Sequence, residues 1–370
     1  MMREGEKMIQ FLVRPEVKNL VPYTVQQKEK ENMIILDGNE SPYPLPYELR
    51  EEMAQKFIKL ELNRYPDASC YALRQKIADY LGKGVSPEQI LLGNGSDEVL
   101  QFLVQTFVRP GDRVLALAPT FSMYKIFTEL SGGVYVSLHL NSDGSLDLEQ
   151  FWKAVKITYP RMVFFCSPNN PTGTRIPLET IGEIAERFEG ILVVDEAYGE
   201  FCQGSMISML DKYPNLAVTR TFSKAFGLAG VRLGYLVANR DFIREVSKVV
   251  PPYHLNSISQ MVGETILENY SLIEKRVREI IKERERLRAV LKSYAGWQVF
   301  PSEANFLFLR GLEVPALAEE FERAAIKVRK FRSPLKDAIR ITVGTPEEND
   351  QVIRVIKTFK ERRRANGTEM

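Results

Sequence analysis

Residues 162–198 read MVFFCSPNNPTGTRIPLETIGEIAERFEGILVVDEAY. Two short, apolar, β-rich runs, Met162–Cys166 and Ile191–Asp195, enclose a stretch with helical spacing, Pro177–Phe188. Strand, helix, strand is the repeating unit of a parallel sheet. The alternation continues outward in both directions. Strand-like runs precede it at Ile90–Gly93, Val114–Ala118 and Val134–Leu138, and follow it at Leu216–Thr221 and Leu233–Val237. Helical spacing recurs at Ser96–Phe107 and Asp241–Val250. The expectation is an α/β domain built on one seven-stranded, mostly parallel sheet.

A length of 370 residues suits a two-domain enzyme rather than one small core. After the sheet comes a long, charge-laced amphipathic segment from Ser257 to about Tyr294. Strand-like segments at Trp297–Phe300, Phe306–Leu309, Ile326–Arg329 and Ala338–Val343 follow. They alternate with helical stretches at Val314–Ala325 and Pro346–Arg362. The expected division is an N-terminal arm over 1–35, a large α/β domain over 36–250, a smaller α+β domain over 251–362 and a tail over 363–370.

Composition excludes several classes. With 50 basic and 48 acidic residues the net charge is +2, which gives no electrostatic reason to expect nucleic acid. No apolar run reaches the roughly 18 residues that a membrane span needs. Met1–Ile9 carries scattered charge and no apolar core of the signal-peptide kind. Cys70, Cys166 and Cys202 share no metal-type spacing, so reduced thiols in a cytoplasmic protein without a metal site are expected. Only His139 and His254 are present, so acid–base chemistry must come from Lys, Tyr, Asp or Glu.

Open α/β sheets bind ligands beyond the carboxyl ends of their strands. Five such ends here are unusual. Gly93-Asn94-Gly95-Ser96-Asp97-Glu98 opens a helix and reads either as an ordinary capped turn or as a phosphate site. Pro119-Thr120-Phe121-Ser122-Met123-Tyr124 offers an aromatic that could stack on a flat ring or pack a loop. Ser167-Pro168-Asn169-Asn170-Pro171-Thr172-Gly173 is a tight turn whose amides could also bond a ligand oxygen. Asp195-Glu196-Ala197-Tyr198 places an acid at the end of an apolar strand. Such an acid is costly unless paired, and a protonated pyridine nitrogen, a helix N-terminus or a magnesium ion would each serve. Thr221-Phe222-Ser223-Lys224-Ala225-Phe226-Gly227, followed by Arg232-Leu233-Gly234, offers a Schiff-base lysine beside a phosphate site, or a surface charge. The convergence of all five favours a shared ligand.

In order and spacing, Asn170-Pro171-Thr172-Gly173, Asp195-Glu196-Ala197-Tyr198, Ser223-Lys224 and Arg232-Leu233-Gly234 resemble the class I/II aminotransferases of fold type I, over nearly the whole chain. Within them the chain is similar to the histidinol-phosphate aminotransferase branch. The features are Leu36-Asp37-Gly38-Asn39-Glu40-Ser41-Pro42-Tyr43, Arg64-Tyr65-Pro66-Asp67, Arg220-Thr221-Phe222-Ser223-Lys224 and Arg340-Ile341-Thr342-Val343-Gly344, with the 93–98 and 119–124 turns.

The resemblance implies pyridoxal 5'-phosphate (PLP) as cofactor. Lys224 would carry it as a Schiff base and move the substrate proton. Asp195 would keep the pyridine nitrogen protonated, and Asn170 and Tyr198 would bond the ring's 3-oxygen. Gly95, Ser96, Asp97, Thr221, Ser223 and Arg232 would hold the phosphate. Phe121 would stack on the ring, where many relatives carry tyrosine. Tyr65 would reach the phosphate in a neighbouring subunit, implying a homodimer with a shared active site. Arg340 would bind the substrate's anionic group, with Arg329 a second contact and Tyr23 and Asn39 alongside. The implied reaction passes an amino group from L-histidinol phosphate to 2-oxoglutarate, in histidine biosynthesis. Aromatic or broad-range amino transfer, and decarboxylation of threonine phosphate, use the same cofactor machinery and remain open.

Overall fold

The computed structural model describes residues 8–9, 11–18, 20, 33–82 and 84–365, so the expectation for Tyr23 lies outside the described residues. In chain order the strands are β1 (Ile34–Leu36), β2 (Ile90–Gly93), β3 (Arg113–Ala118), β4 (Val134–His139), β5 (Met162–Cys166), β6 (Ile191–Asp195), β7 (Leu216–Thr221), β8 (Gly234–Ala238), β9 (Gln298–Val299), β10 (Phe306–Arg310), β11 (Ile326–Lys330) and β12 (Ala338–Thr342).

Among the described residues the larger sheet has seven strands in the order β2-β8-β7-β6-β5-β3-β4. The five from β7 to β4 run parallel, and β8 is antiparallel to both of its neighbours. These are the seven runs expected from the sequence, each within a residue at either end. The reason is visible in β5 and β6, which are covered on both faces and therefore read as apolar runs, broken in β6 only by its last residue, Asp195. Successive side chains still alternate. Val163 and Phe165 enter the core on one face, while Met162, Phe164 and Cys166 enter the core on the other.

The smaller sheet has the order β1-β11-β12-β10-β9 and its own core, closed by the helices Val314–Arg323 and Pro346–Ala365. Its first strand differs from expectation. Residues 34–36 are too few to show a period in sequence, and they form a strand because they pair in parallel with β11. The long amphipathic segment is two helices, Ser257–Glu268 and Tyr270–Lys292. The first of them packs on the helices Tyr47–Ile58 and Tyr71–Leu81, beside the larger sheet. β1 thus belongs to the smaller sheet, and Ser257–Glu268 packs beside the larger. Among the described residues, no helix is long and apolar enough to cross a membrane.

The register of β2, β8 and β7 sets Gly93, Gly234 and Thr221 in one row at the sheet's edge. A Cβ at Gly234 would lie 2.3 Å from the Ser96 amide nitrogen, a backbone atom that cannot swing away. Gly234→Ala should therefore destabilise the fold by about 1–3 kcal/mol, the usual cost of overpacking. Gly182→Ala is the contrasting case. That helix position has only Tyr213 Oη nearby, at 3.6 Å, so alanine should stabilise by about 0.5–1 kcal/mol. Urea midpoints moving in opposite directions at constant slope would show both effects.

Candidate active site

Because β5, β6 and β7 are parallel neighbours, their carboxyl ends lie side by side. Asn170, Asp195 and Lys224 stand at or just beyond these three ends. Asp195 is buried as the last residue of β6. Its Oδ2 accepts the Tyr124 hydroxyl at 2.6 Å, and its Oδ1 accepts the Ala197 amide at 3.1 Å. Loss of water pushes the carboxyl pKa up to about 6, although the bonds from Tyr124 and Ala197 pull the other way.

Tyr124 was visible in the sequence only as part of an aromatic turn. It begins the helix Met123–Leu130, stacks flat on Phe164 at 4.7 Å and takes Phe121 edge-on at 5.7 Å. The structure thus makes Tyr124 the residue that holds Asp195, with Phe121 packed against it.

The Lys224 amine donates to the Gly38 carbonyl at 3.0 Å. Desolvation first, then the positive charges of Arg340 and Arg232, hold its pKa down to about 8 against the opposing pull of Glu40 and Asp97. An amine lowered and a carboxyl raised at adjacent strand ends bring both groups towards neutrality, where proton transfer is effective.

The smaller sheet completes the cluster. Asn39 is buried, with φ of 53°, and donates from its amide side chain to the Tyr198 hydroxyl at 2.9 Å. Its backbone amide donates to Thr342 Oγ1 at 3.0 Å, and its carbonyl accepts Asn305 Nδ2 at 3.1 Å. Arg340, in β12, donates to Asn170 Oδ1 and to the Asp37 carbonyl, with its guanidinium over the Phe306 ring. Arg329 of β11 is its direct register partner, so both arginines leave the sheet on one face. Thr342, Asn305 and the carbonyls of Asp37 and Gly38 were not foreseen. Their contacts span up to 303 positions, and no local pattern marks them.

A second cationic corner lies at the row of Gly93, Gly234 and Thr221. Gly95, with φ of 81°, precedes the helix Ser96–Phe107, whose first turn has no side-chain cap. A Cβ at Gly95 would sit 2.6 Å from Arg232 Nη2, so glycine alone leaves room there. Arg232 pairs with Asp97 at 3.2 Å, and the buried Ser223 amide donates to Thr221 Oγ1 at 3.1 Å. Free amides at a helix start beside an arginine fork suit a phosphate. Tyr65 is not part of this hydrogen-bonded group. It is 80% exposed and stacks on Tyr253 at 4.5 Å.

Comparison with known proteins adds independent findings. The model of the aminotransferase class I and II family matches residues 31–356. The histidinol-phosphate aminotransferase of Thermoanaerobacter pseudethanolicus is 37% identical over 352 residues, covering 95% of this chain and 99% of that protein. Histidinol-phosphate aminotransferase 1 of Carboxydothermus hydrogenoformans is 40% identical over 343 residues, covering 92% and 95%. The crystal structure of histidinol-phosphate aminotransferase from Sinorhizobium meliloti, in complex with pyridoxal-5'-phosphate, superposes with a TM-score of 0.84. At 24% identity, covering 94% and 98%, it shows the same fold.

The two charges around Lys224 make its titration testable. In ligand-free protein, acylation of Lys224 by an amine-selective reagent should rise with pH about a midpoint near 8. Arg340→Gln removes a neighbouring cation and should raise that midpoint; an unchanged midpoint would sink this account. The folded pKa lies below the unfolded value of 10.5, so the unfolded chain binds more protons between pH 8 and 10.5. Stability contributed by this group therefore increases with pH across that window.

Proposed function

The chain belongs to the class I and II aminotransferases, and on that footing we propose that it transfers the amino group of L-histidinol phosphate to 2-oxoglutarate, with PLP held at the strand ends of the larger sheet. One observation carries the chemistry: an amine lowered to about 8 and a buried carboxyl raised to about 6 stand at neighbouring strand ends. The donor is inferred from relatives 37–40% identical over at least 92% of this chain.

The residues fit the cofactor. The Tyr124 hydroxyl and Ala197 amide that bond Asp195 are neutral, so a protonated pyridine nitrogen would give its carboxylate a cationic partner. Asn170 and Tyr198 would bond the ring's 3-oxygen, and Phe121 would lie against the ring. Gly95, Ser96, Asp97, Thr221, Ser223 and Arg232 would hold the phosphate. Bound PLP supplies an electron-accepting ring that stabilises negative charge at the donor's α-carbon. Lys224 Nζ takes the proton from that carbon, and its lowered pKa leaves a useful fraction neutral at physiological pH.

Arg340 and Arg329 face each other across β11 and β12, an arrangement that like charges disfavour. An anionic group, the donor phosphate or a carboxylate of 2-oxoglutarate, would relieve that repulsion, with Asn39 beside it. Subunit pairing fits the surface. Tyr47, Phe57, Ile58, Leu62, Tyr65 and Tyr71 are all exposed along one stretch, and apolar clusters of this kind mark interfaces. A homodimer that buries them would carry Tyr65 to its neighbour's cofactor phosphate. The three cysteines are unpaired, which suits the reducing cytoplasm.

The decisive experiment follows the absorbance of the PLP-loaded protein in single turnovers with histidinol phosphate, phenylalanine, tyrosine and threonine phosphate. Histidinol phosphate should react fastest and release no carbon dioxide. Phenylalanine winning by orders of magnitude, or carbon dioxide from threonine phosphate, would overturn the donor assignment. Lys224→Ala should slow the half-reaction by about 10²–10⁴-fold, the range of a lost general base. Arg340→Ala should raise the donor KM by about 10–100-fold, equivalent to a lost charge-assisted hydrogen bond.

A further inference from the structure

Side chains on a strand alternate between the sheet's faces. On β7, Thr219 and Arg220 are successive residues and so point to opposite faces, Arg220 sharing its face with its register partner Tyr235. Arg220 is buried there between two acids. Its Nε and Nη2 donate to Glu196 Oε2 at 3.0 and 2.7 Å, and its Nη1 donates to Glu200 Oε1 at 2.8 Å. Glu196 directly follows Asp195, and Glu200 lies two residues after Tyr198.

The loop closes tightly around this guanidinium. Glu196 also accepts the Ser205 hydroxyl at 2.6 Å and the Met206 amide at 2.8 Å, and its own amide donates to the Thr219 carbonyl at 2.9 Å. A Cβ at Gly199 would lie 2.5 Å from Arg220 Cζ, so the backbone approaches as near as a glycine permits. Three buried ionisable groups are a costly way to fill space, because apolar side chains of similar volume often pack at least as well. What the charges add is direction: a planar fork accepts each carboxylate in one orientation only.

We propose that Arg220 is a positioning residue for amino transfer, gripping Glu196 and Glu200 so that the end of β6, with Asp195 and Tyr198, is fixed against the end of β7, beyond which Lys224 stands. The acid and phenol on one strand end, and the amine on the next, then keep one separation. Displacements of about 1 Å at such a site cost roughly 100-fold in rate. This role depends on the cofactor site and is indifferent to which amino donor is used.

The test compares Arg220→Lys, Arg220→Met and Glu196→Gln in the full-length, PLP-loaded enzyme. Four quantities are read: the PLP dissociation constant, kcat and donor KM separately, the pH midpoint of the bound cofactor's absorbance, and Tm. Arg220→Met and Glu196→Gln should weaken PLP binding by about tenfold or more and lower kcat by roughly 10–100-fold, with donor KM little changed. The absorbance midpoint should shift, and Arg220→Lys, which keeps the charge, should recover part of each loss. If Arg220→Met fails to fold, Glu196→Gln decides, because it removes one charge while keeping the side chain's bulk. Wild-type PLP affinity, kcat and absorbance midpoint in both Arg220→Lys and Glu196→Gln, with only Tm lowered, would overturn the proposal. PLP affinity is measured without any donor, so a wrong donor assignment cannot produce that result.

Discussion

A carboxyl group buried among neutral partners is the constraint around which the molecule is arranged. Asp195 ends a strand that is covered on both faces, and its carboxylate accepts from a phenol and a backbone amide. The doubly covered sheet that makes β6 an apolar run also strips water from its last residue. The same exclusion acts on Lys224 one strand away, with the opposite sign, because burial disfavours the charged form of either group. Fold and chemistry thus share one cause. A sheet exposed on one face would leave both groups near their ordinary pKa values.

That shared cause explains why so much was legible in the sequence. Continuous apolar runs at 162–166 and 191–194 are the direct imprint of burial on both faces, and the polar residues that follow them mark the strand ends. Lys224, Asp195, Asn170 and the Gly95 turn could be picked out because each breaks an apolar pattern. Tyr124 was hidden for the converse reason: an aromatic within an aromatic turn breaks nothing, and its hydroxyl acts 71 positions away. β1 was hidden because three residues carry no period, and pairing with β11 alone makes them a strand. Arg220 and Glu196 lay inside motifs that had been read for their neighbours, and Glu200 lies two residues past the end of one.

The cluster is also divided between the two sheets. Asn39 follows β1 of the smaller sheet, yet its side chain bonds Tyr198 beyond β6 of the larger. Arg340, central in β12, reaches Asn170 beyond β5. Neither group of residues is complete on its own sheet, so docking of the smaller sheet is part of assembling the site. The backbone from Leu36 to Asn39 links the two groups of residues. It carries the Gly38 carbonyl to Lys224 and the Asp37 carbonyl to Arg340 within two successive residues. Substitutions that alter this short path would disturb amine and anion sites together.

Buried charge in this protein takes two forms, and the contrast is informative. Arg220, Glu196 and Glu200 are matched to one another, with the guanidinium bonded to both carboxylates. Removing one partner there would strand the others, which makes the cluster rigid and specific. Asp195 and Lys224 instead make their hydrogen bonds to neutral groups, and their pKa values are displaced towards each other. A structure selected for stability alone would match these charges too. Leaving them without an ionic hydrogen bond, directly beside a cluster that is matched, is the mark of groups kept for a ligand. The rigid cluster on one face of the sheet and the unmatched groups at its strand ends are then complementary: the first holds the geometry that the second needs when a charged ring and a reacting proton arrive.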